Sequence, residues 1–526
     1  MRRSVRALAL SALLVTLLVA SSCSSGSTDE GGQGGSATTA PADGIDRDGV
    51  IRVGYDLAPP SSPWSFDPVE FPSLASHEGW FYILYGRLLR PTVEGTLEPD
   101  LAESTSVVDA NTIAIELREG QVFSDGTPFD AAAVKAGLER SLTLATPAGF
   151  GDGFFALKTI TVDGPTSLRL GIDGTAASWH DTYLPSFQTT IVKADGFDPS
   201  APIGAGPFTL ESYEAAKSAE YARSDSYWES DAITLAGIEL VQVANATVEA
   251  GTNALKAEQV DVSLTDAAQI PALTGAVGLY TQPDANQGVT LMMCKASGPL
   301  ADARVRVAIN KALDRESISA AVYADTAEPA LGMWPADHRF ADPSAGEELA
   351  YDVEGAKALL AEAGYADGFD IELYSISVLG LPAAAEVIEQ QLAEVGIRAS
   401  ISVTTNFVPD YLGVNKPGLG LYPSSSAGVD KLNQWSGESL VNTCDYKNDE
   451  LDAVRSQLQR VTQTSDEAVE LWRDASDVVV GDALSGFVLF RSILAGYNNE
   501  TVGALSLWPK GSVITPNPRE TWMTAS

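Results

Sequence analysis

Residues Phe369–Val403 read FDIELYSISVLGLPAAAEVIEQQLAEVGIRASISV, and this stretch decides the fold class. Alternating apolar side chains over Phe369–Leu373 and over Ile397–Val403 predict two strands. Between them, an apolar stripe at helical spacing predicts a helix over Pro382–Val395 that ends at Gly396. A strand, a helix and a second strand form a βαβ unit with parallel strands. The sequence therefore predicts an α/β protein.

The same patterns predict further elements before this unit. Asn111–Arg118 alternates apolar and polar side chains, which is typical of a half-buried strand. Thr159–Val162 and Leu168–Ile172 flank an Asp-Gly-Pro turn and predict a hairpin. Asp302 and Asp352 each stand directly before an apolar stripe of helical spacing, where each can cap a helix. Strands and helices are thus mixed along the chain.

The N-terminus has the pattern of an export signal. Two arginines precede an apolar stretch over Ala7–Ala20, which is shorter than the roughly 20 residues that a membrane span needs. Small residues then lead to Cys23, as in a bacterial lipobox, whose cysteine is acylated and becomes the mature N-terminus. The Ser-, Gly- and Thr-rich stretch that follows is typical of a flexible tether. We predict a signal peptide at 1–22, lipidation of Cys23 and a tether at 23–45; the alternative is an ordinary leader with an incidental cysteine.

The composition describes an acidic globular chain. The 526 residues carry a formal net charge of −37, and 45% of them are hydrophobic. Without its leader the chain is still long enough for two or three packed domains. An acidic surface repels nucleic acid, and no cluster of Lys or Arg offers a phosphate-binding patch. We expect no nucleic-acid partner, no cofactor and a monomer.

Residues that could carry catalysis are scattered. The three histidines, His77, His180 and His338, are far apart and lack the repeated spacing of metal ligands. The chain has neither a G-x-S-x-G elbow nor a Walker loop. In so acidic a chain, a pair of carboxylates is weak support for a glycosidase. We expect neither an enzyme nor a metal site.

Six blocks of sequence carry a resemblance to a known family. In chain order they are YGRLLRPTVEGTLEPDLAES (Tyr85–Ser104), IELREGQVFSDGTPFDAAAV (Ile115–Val134), IGAGPFTLESY (Ile203–Tyr213), SDSYWES (Ser224–Ser230), GPLADARVRVAINKALDRESI (Gly298–Ile318) and YDVEGAKALLAEAGYADGF (Tyr351–Phe369). Together they resemble the family 5 extracellular solute-binding proteins, the oligopeptide-, dipeptide- and nickel-binding components of ABC importers. The resemblance extends, with gaps, from about Val53 to Leu507.

The resemblance implies a two-lobed periplasmic-binding-protein type II fold (cluster C), hinged around a ligand cleft. The implied division is lobe one at 46–290 and 495–526, with an inserted subdomain at about 86–200, and lobe two at 291–494. The chain would cross between the lobes near Cys294 and Ala495.

The function that the resemblance implies is solute capture. A small-molecule or peptide ligand would favour lobe closure, and the closed form would deliver it to an ABC permease and its ATPase. The lipid on Cys23 would hold the protein on the outer side of the cell membrane. The competing interpretation is a ligand-sensing or surface lipoprotein that keeps the fold without transport.

One position departs from the peptide-binding members of the family. In the alignment, the carboxylate that holds a peptide's α-ammonium falls at or near Ser424, which is followed by Ser425. A neutral hydroxyl does not neutralise a desolvated ammonium, whose unpaired burial costs several kcal/mol. Three explanations stay open: Asp430 substitutes from a displaced loop, the peptide is held otherwise, or the solute is not a peptide.

Aromatic residues and one histidine complete the expected cleft. Trp64, Trp80, Tyr422 and Trp435 fall near it in the alignment, and such rings suit sugars, peptide side chains and flat organic solutes. The alternative for each ring is a place in the hydrophobic core. His77 lies where relatives approach the ligand.

Two cysteines remain after Cys23, and neither lies in a metal-site motif. In the alignment Cys294 stands where relatives usually have Asn, and Cys444 follows the cleft loop of the same lobe. Two unusual cysteines in one exported lobe suggest a mutual disulfide. The alternative is a pair of buried free thiols.

Overall fold

The computed structural model covers most of the chain after the tether. It describes residues 44–55, 57, 65–70, 78–92, 96–146, 152–243, 248–282, 287–342, 344–376, 380–404, 407–412, 417–424, 428–436, 441–442, 444, 446–508 and 514–525. All of these belong to one compact unit, Ala37–Ser526. The predicted leader, Cys23 and almost all of the tether lie outside the described residues. Among the helices described, none has the length and apolar character to cross a membrane.

A seven-stranded mixed sheet forms the centre of the first lobe. In order across the sheet, its strands are β13 (Val277–Thr281), β20 (Leu494–Asn498), β12 (Val262–Thr265), β2 (Val50–Tyr55), β11 (Gly237–Gln242), β10 (Ser218–Arg223) and β9 (Phe208–Glu214). Strand β2 is parallel to both of its neighbours, whereas β20 is antiparallel to both of its own. Two helices accompany this sheet, α1 (Glu78–Tyr85) and α4 (Val248–Lys256).

Part of the segment between β2 and β9 forms an inserted subdomain. Its four-stranded antiparallel sheet has the order β5 (Ala102–Asp109), β6 (Thr112–Leu117), β8 (Ser167–Ile172) and β7 (Leu157–Val162), with helices α2 (Ala131–Leu144) and α3 (Ala176–Tyr183). Strands β7 and β8 form the predicted hairpin, and β6 is the predicted half-buried strand. One hydrophobic cluster joins Ile113 and Leu170 of this subdomain to Val53 and Ile238 of the larger sheet. Because the two share a core, the inserted subdomain belongs physically to the first lobe.

Two short sheets complete the first lobe. Strands β3 (Leu89–Pro91) and β4 (Leu97–Pro99) form a hairpin. Strand β1 (Ile45–Asp46) pairs with β22 (Trp522–Thr524), which also pairs with β21 (Val502–Ala504). The C-terminal residues therefore return to the first lobe.

A six-stranded sheet forms the second lobe and contains the predicted βαβ unit. In order, its strands are β15 (Ala327–Pro329), β19 (Ser485–Arg491), β14 (Gln287–Met293), β18 (Leu419–Ser424), β16 (Phe369–Ile376) and β17 (Ile397–Thr404). Strands β16 and β17 are parallel, as predicted. After the connecting helix, Gly396 adopts a left-handed φ of +91°, a conformation that favours glycine.

Helices cover both faces of this second sheet. They are α5 (Ala303–Ala312), α6 (Arg315–Tyr323), α7 (Val353–Glu362), α8 (Leu381–Glu394), α9 (Phe407–Asp410), α10 (Asp449–Leu458) and α11 (Asp466–Gly481). Separate hydrophobic clusters contain α5 and α8 on one side and α10 and α11 on the other. The predicted caps are confirmed: Asp302 accepts from the backbone N–H of Arg304, and Asp352 from that of Gly355.

The chain crosses between the two large sheets at two places. One crossing lies between Thr281 of β13 and Gln287 of β14, and the other between Arg491 of β19 and Leu494 of β20. The first crossing comes earlier than expected, because β14 pairs along its whole length with β18 and β19. Cys294 therefore lies within the second lobe and not at a crossing.

Candidate ligand cleft

The two crossings bring one end of β14 beside one end of β19. Gln287 and Arg491 pair across these strands, and the Arg491 Nη2 donates to the Gln287 Oε1 over 2.6 Å. The Arg491 Nε is buried and has no hydrogen-bond partner among the described residues. Burial lowers the pKa of this guanidinium. A cation with a spare donor therefore lies at the edge from which the chain leaves for the first lobe.

Beside this edge lies a small cavity of about 10 Å³, which is room for one water molecule. Its lining belongs to the second lobe and is mostly apolar, and it includes Gly288, Thr290, Ser424, Lys431 and Trp435. The Thr290 Oγ1 and the Gln434 Oε1 are buried nearby without a hydrogen-bond partner in the described part of the chain. Buried polar atoms of this kind need water or a polar ligand group.

Ser424 is the last residue of β18, and the structure places it in the lining of this cavity. Its side chain is buried, and its hydroxyl accepts a hydrogen bond from the Gln434 Nε2 over 2.5 Å. The hydroxyl therefore already holds a neutral amide donor. Ser425 lies outside the described residues.

Asp430 lies four residues before Gln434 on a 3-10 helix, Gly428–Gln434. The residue as a whole is exposed, and its carboxylate accepts from the Asn433 Nδ2 over 3.1 Å. Desolvation raises its pKa, and the hydrogen bond from Asn433 and the charge of Arg455 act in the opposite direction.

The predicted aromatic residues of the second lobe differ in their burial. Tyr422 is half-buried and stacks on Phe407, with ring centroids 5.3 Å apart. Trp435 is 2% exposed, and its Nε1 donates to the Ser485 Oγ over 2.9 Å. Trp435 thus lines the cavity as part of the core of the second lobe.

The remaining predicted cleft residues come from the first lobe. Trp80 is 1% exposed, stacks on Tyr221 and meets Tyr55 edge-on. It is a core residue of the first lobe. Trp64 and His77 lie outside the described residues.

The sequence patterns did not single out two cations of this region, Lys431 and Arg491. The Lys431 Nζ lies 4.5 Å from the centroid of the Trp334 ring, and the side chain is 3% exposed. Arg491 ends the apolar run of β19, and a charge at the end of a fully buried strand is a signal that could have been followed. Lys431 gives no comparable local signal, because its burial depends on Trp334, far away in the sequence.

The predicted pairing of Cys294 with Cys444 is present in the structure. Their Cα atoms are 5.3 Å apart, and the disulfide joins the end of β14 to the segment before α10. Within the described ranges, no group of three or more His, Cys, Asp or Glu residues is arranged to hold a metal ion.

Two α/β lobes joined by two crossings are the architecture of proteins that bind small solutes between their lobes. The sequence profile of the bacterial extracellular solute-binding proteins, family 5 (Middle), matches residues 96–441. The chain belongs to this family, as the six sequence blocks predicted. It is accordingly an extracytoplasmic solute-binding protein.

Curated and solved relatives agree with this assignment. The glutathione-binding protein GsiB of Escherichia coli (strain K12) is 26% identical over 417 residues, which are 73% of this chain and 79% of that protein. The structure of NikA from Brucella suis in complex with Fe(III)-EDTA has a TM-score of 0.77 at 20% identity, covering 90% of this chain and all of that one. The substrate-binding protein CtaP from Listeria monocytogenes also has a TM-score of 0.77, at 18% identity and 91% coverage of this chain. These similarities confirm the predicted fold class.

Proposed function

We propose that this protein captures a small polar solute between its lobes and delivers it to an ABC permease and its ATPase. The observation that carries the proposal is the pair of lobes joined by two crossings, in a chain that belongs to the family 5 solute-binding proteins. A ligand that contacts both lobes shifts the population towards the closed form. The E. coli relative is named for glutathione, and the Helicobacter pylori DppA structure contains a peptide.

We further propose that Cys23 carries the lipid that holds the protein at the cell membrane.

The hydroxyl and amide groups of the cavity suit neutral hydrogen-bonding groups, and the buried Lys431 that also lines it disfavours a second ammonium group. The hydroxyl of Ser424 is held by an amide donor, and the Thr290 Oγ1 and the Gln434 Oε1 nearby have no hydrogen-bond partner among the residues that the structure describes. Hydroxyl and amide oxygens accept hydrogen bonds, and a hydroxyl also donates one. We therefore propose that the solute presents hydroxyl, amide or carbonyl groups here, and not an ammonium group.

This proposal predicts how short peptides behave. A free N-terminal ammonium would lose its hydration without gaining a carboxylate at Ser424, so free peptides should bind no better than their N-acetylated forms. Titration calorimetry of matched free and acetylated peptides measures the difference. Asp430→Asn, which preserves the side-chain shape, is the control.

A preference of about tenfold or more for free amines, which is about 1.4 kcal/mol, would contradict the neutral site. If that preference disappeared in Asp430→Asn, Asp430 would be the displaced carboxylate.

Tyr422→Ala should weaken the binding of the true solute more than Ser424→Ala does. A ring contributes apolar contact worth a few kcal/mol, whereas a neutral hydrogen bond contributes about 1 kcal/mol.

A further inference from the structure

Helix α3 of the inserted subdomain touches the second lobe at two points. The Asp181 Oδ2 accepts a hydrogen bond from the backbone N–H of Gln463, which precedes α11. At the second point, Gly428 approaches Thr182 so closely that a Cβ on Gly428 would lie 3.5 Å from the Thr182 Oγ1. Gly428 begins the 3-10 helix that carries Asp430 and Lys431. One helix of the first lobe thus contacts both the α10–α11 connection and the segment behind the cavity.

The carboxylate of Asp181 is fixed from its own side as well. The His180 Nδ1 lies 2.6 Å from the Asp181 Oδ1, and the His180 Nε2 lies 2.7 Å from the Thr105 Oγ1 on β5. The side chains of His180 and Asp181 are 13% and 7% exposed. Both oxygens of the carboxylate are therefore engaged, one within the subdomain and one across the interface. Hydrogen bonds to a charged acceptor are roughly twice as strong as neutral ones.

Gln463 is anchored just as firmly in the second lobe. Its Oε1 accepts from the Trp472 Nε1 over 2.7 Å, and its backbone carbonyl accepts from the Arg339 Nη1 over 3.1 Å. The rings of Trp472 and Trp334 meet edge-on with their centroids 5.0 Å apart. The Lys431 Nζ lies over the face of the Trp334 ring. Packed side chains therefore connect the Asp181 contact to the cavity lining.

The contact must break when the cleft opens. The inserted subdomain shares its hydrophobic core with the seven-stranded sheet, whereas Trp472 belongs to a core of the second lobe. Rotation about the two crossings moves these two bodies apart as units. Such an opening would separate the Asp181 carboxylate from the Gln463 N–H.

We propose that Asp181 is a latch that holds the two lobes closed, with Thr105 and His180 positioning its carboxylate. The latch rests on the proposed function, since it regulates the same cleft. It sets the fraction of closed molecules before solute arrives, and this fraction scales the apparent affinity. Asp181 is a positioning residue, because it contacts the opposite lobe and not the solute.

The test measures the lobes without added solute. Dyes for single-molecule energy transfer are attached through reactive unnatural amino acids, one at Val108 of the subdomain and one at Tyr351 of the second lobe. These two residues are 58% and 50% exposed. Asp181→Ala should lower the ratio of closed to open molecules by about tenfold, in line with the loss of a charge-assisted hydrogen bond. Asp163→Ala is the matched control, because Asp163 pairs with Arg169 on the surface of the same subdomain. It should leave the ratio unchanged.

Hydrogen exchange of the Gln463 amide gives a second readout, which needs no dyes. The wild-type amide should exchange slowly, and at least about tenfold faster in Asp181→Ala. An unprotected Gln463 amide in the wild type, or equal lobe populations in wild type and Asp181→Ala, would overturn the latch. Because solute is absent, either result leaves solute binding itself untouched. Failure to bind any solute would conversely leave the latch standing.

Discussion

Lys295 is a single residue whose pKa is lowered by burial. It follows β14 and is 7% exposed, and its Nζ donates to the Met293 carbonyl over 2.9 Å and to the Leu484 carbonyl over 3.3 Å. The Nζ also lies 5.0 Å from the centroid of the Tyr446 ring. Desolvation, with added repulsion from Arg306, lowers the pKa of Lys295 to about 7.

This pKa predicts a pH-dependent stability. Between pH 7 and the usual lysine pKa near 10.5, the unfolded chain binds a proton that the folded chain lacks. The free energy of unfolding of the wild type should therefore rise with pH in this window, relative to that of Lys295→Met. The relative rise approaches about 1.4 kcal/mol per pH unit. Urea unfolding from pH 7 to 9.5 measures it.

Lys357→Met, which removes an exposed lysine, reports the general effect of losing a lysine. A constant difference between wild type and Lys295→Met over the whole pH range would show that the buried amine does not titrate as described.

Only some of the individual residues of the candidate site could be predicted from the sequence. The alignment placed Ser424 and Trp435 near the cleft, and the structure brings both to one cavity. The hydrogen bonds from Gln434 to Ser424 and from Trp435 to Ser485 were not predictable. They depend on how a 3-10 helix folds back onto β18 and β19, and no residue pattern encodes that approach. Trp80 was misplaced for the same reason, because an aromatic residue can face a cleft or a core.

Individual elements were predicted best where local chemistry determines them. The caps at Asp302 and Asp352, the stop at Gly396 and the β7–β8 hairpin all depend on residues within a few positions of each other. The first crossing depends on which strands pair with β14, and those partners are more than a hundred residues away. The crossing that was predicted near Cys294 therefore falls inside the second lobe, a few residues after the observed crossing.

The disulfide joins two elements of the second lobe that are distant in sequence. Cys294 and Cys444 are 150 residues apart. In the chain-entropy model, closing a loop of this length stabilises the fold by roughly 4–5 kcal/mol. The bond lies beside Lys295, so it offsets part of the cost of burying that amine in the same region.

At the scale of the whole molecule, the lipid attachment proposed for Cys23 lies outside the described residues. We expect metabolic palmitate labelling to depend on Cys23, because the residues before it have the pattern of a lipobox. Cys23→Ala should abolish the label and release or strand the precursor. Cys444→Ala removes a cysteine of the disulfide and is the matched control. Equal labelling in wild type and Cys23→Ala would exclude the anchor.

The central claim is that the two lobes close on one small solute. Native mass spectrometry tests this claim most directly, on protein freshly purified and then equilibrated with a dialysate of small molecules from rich medium. We predict one small-molecule adduct per chain, which is retained in gentle conditions and lost on denaturation. A spectrum that shows only the bare polypeptide, both as purified and after equilibration, would contradict the account.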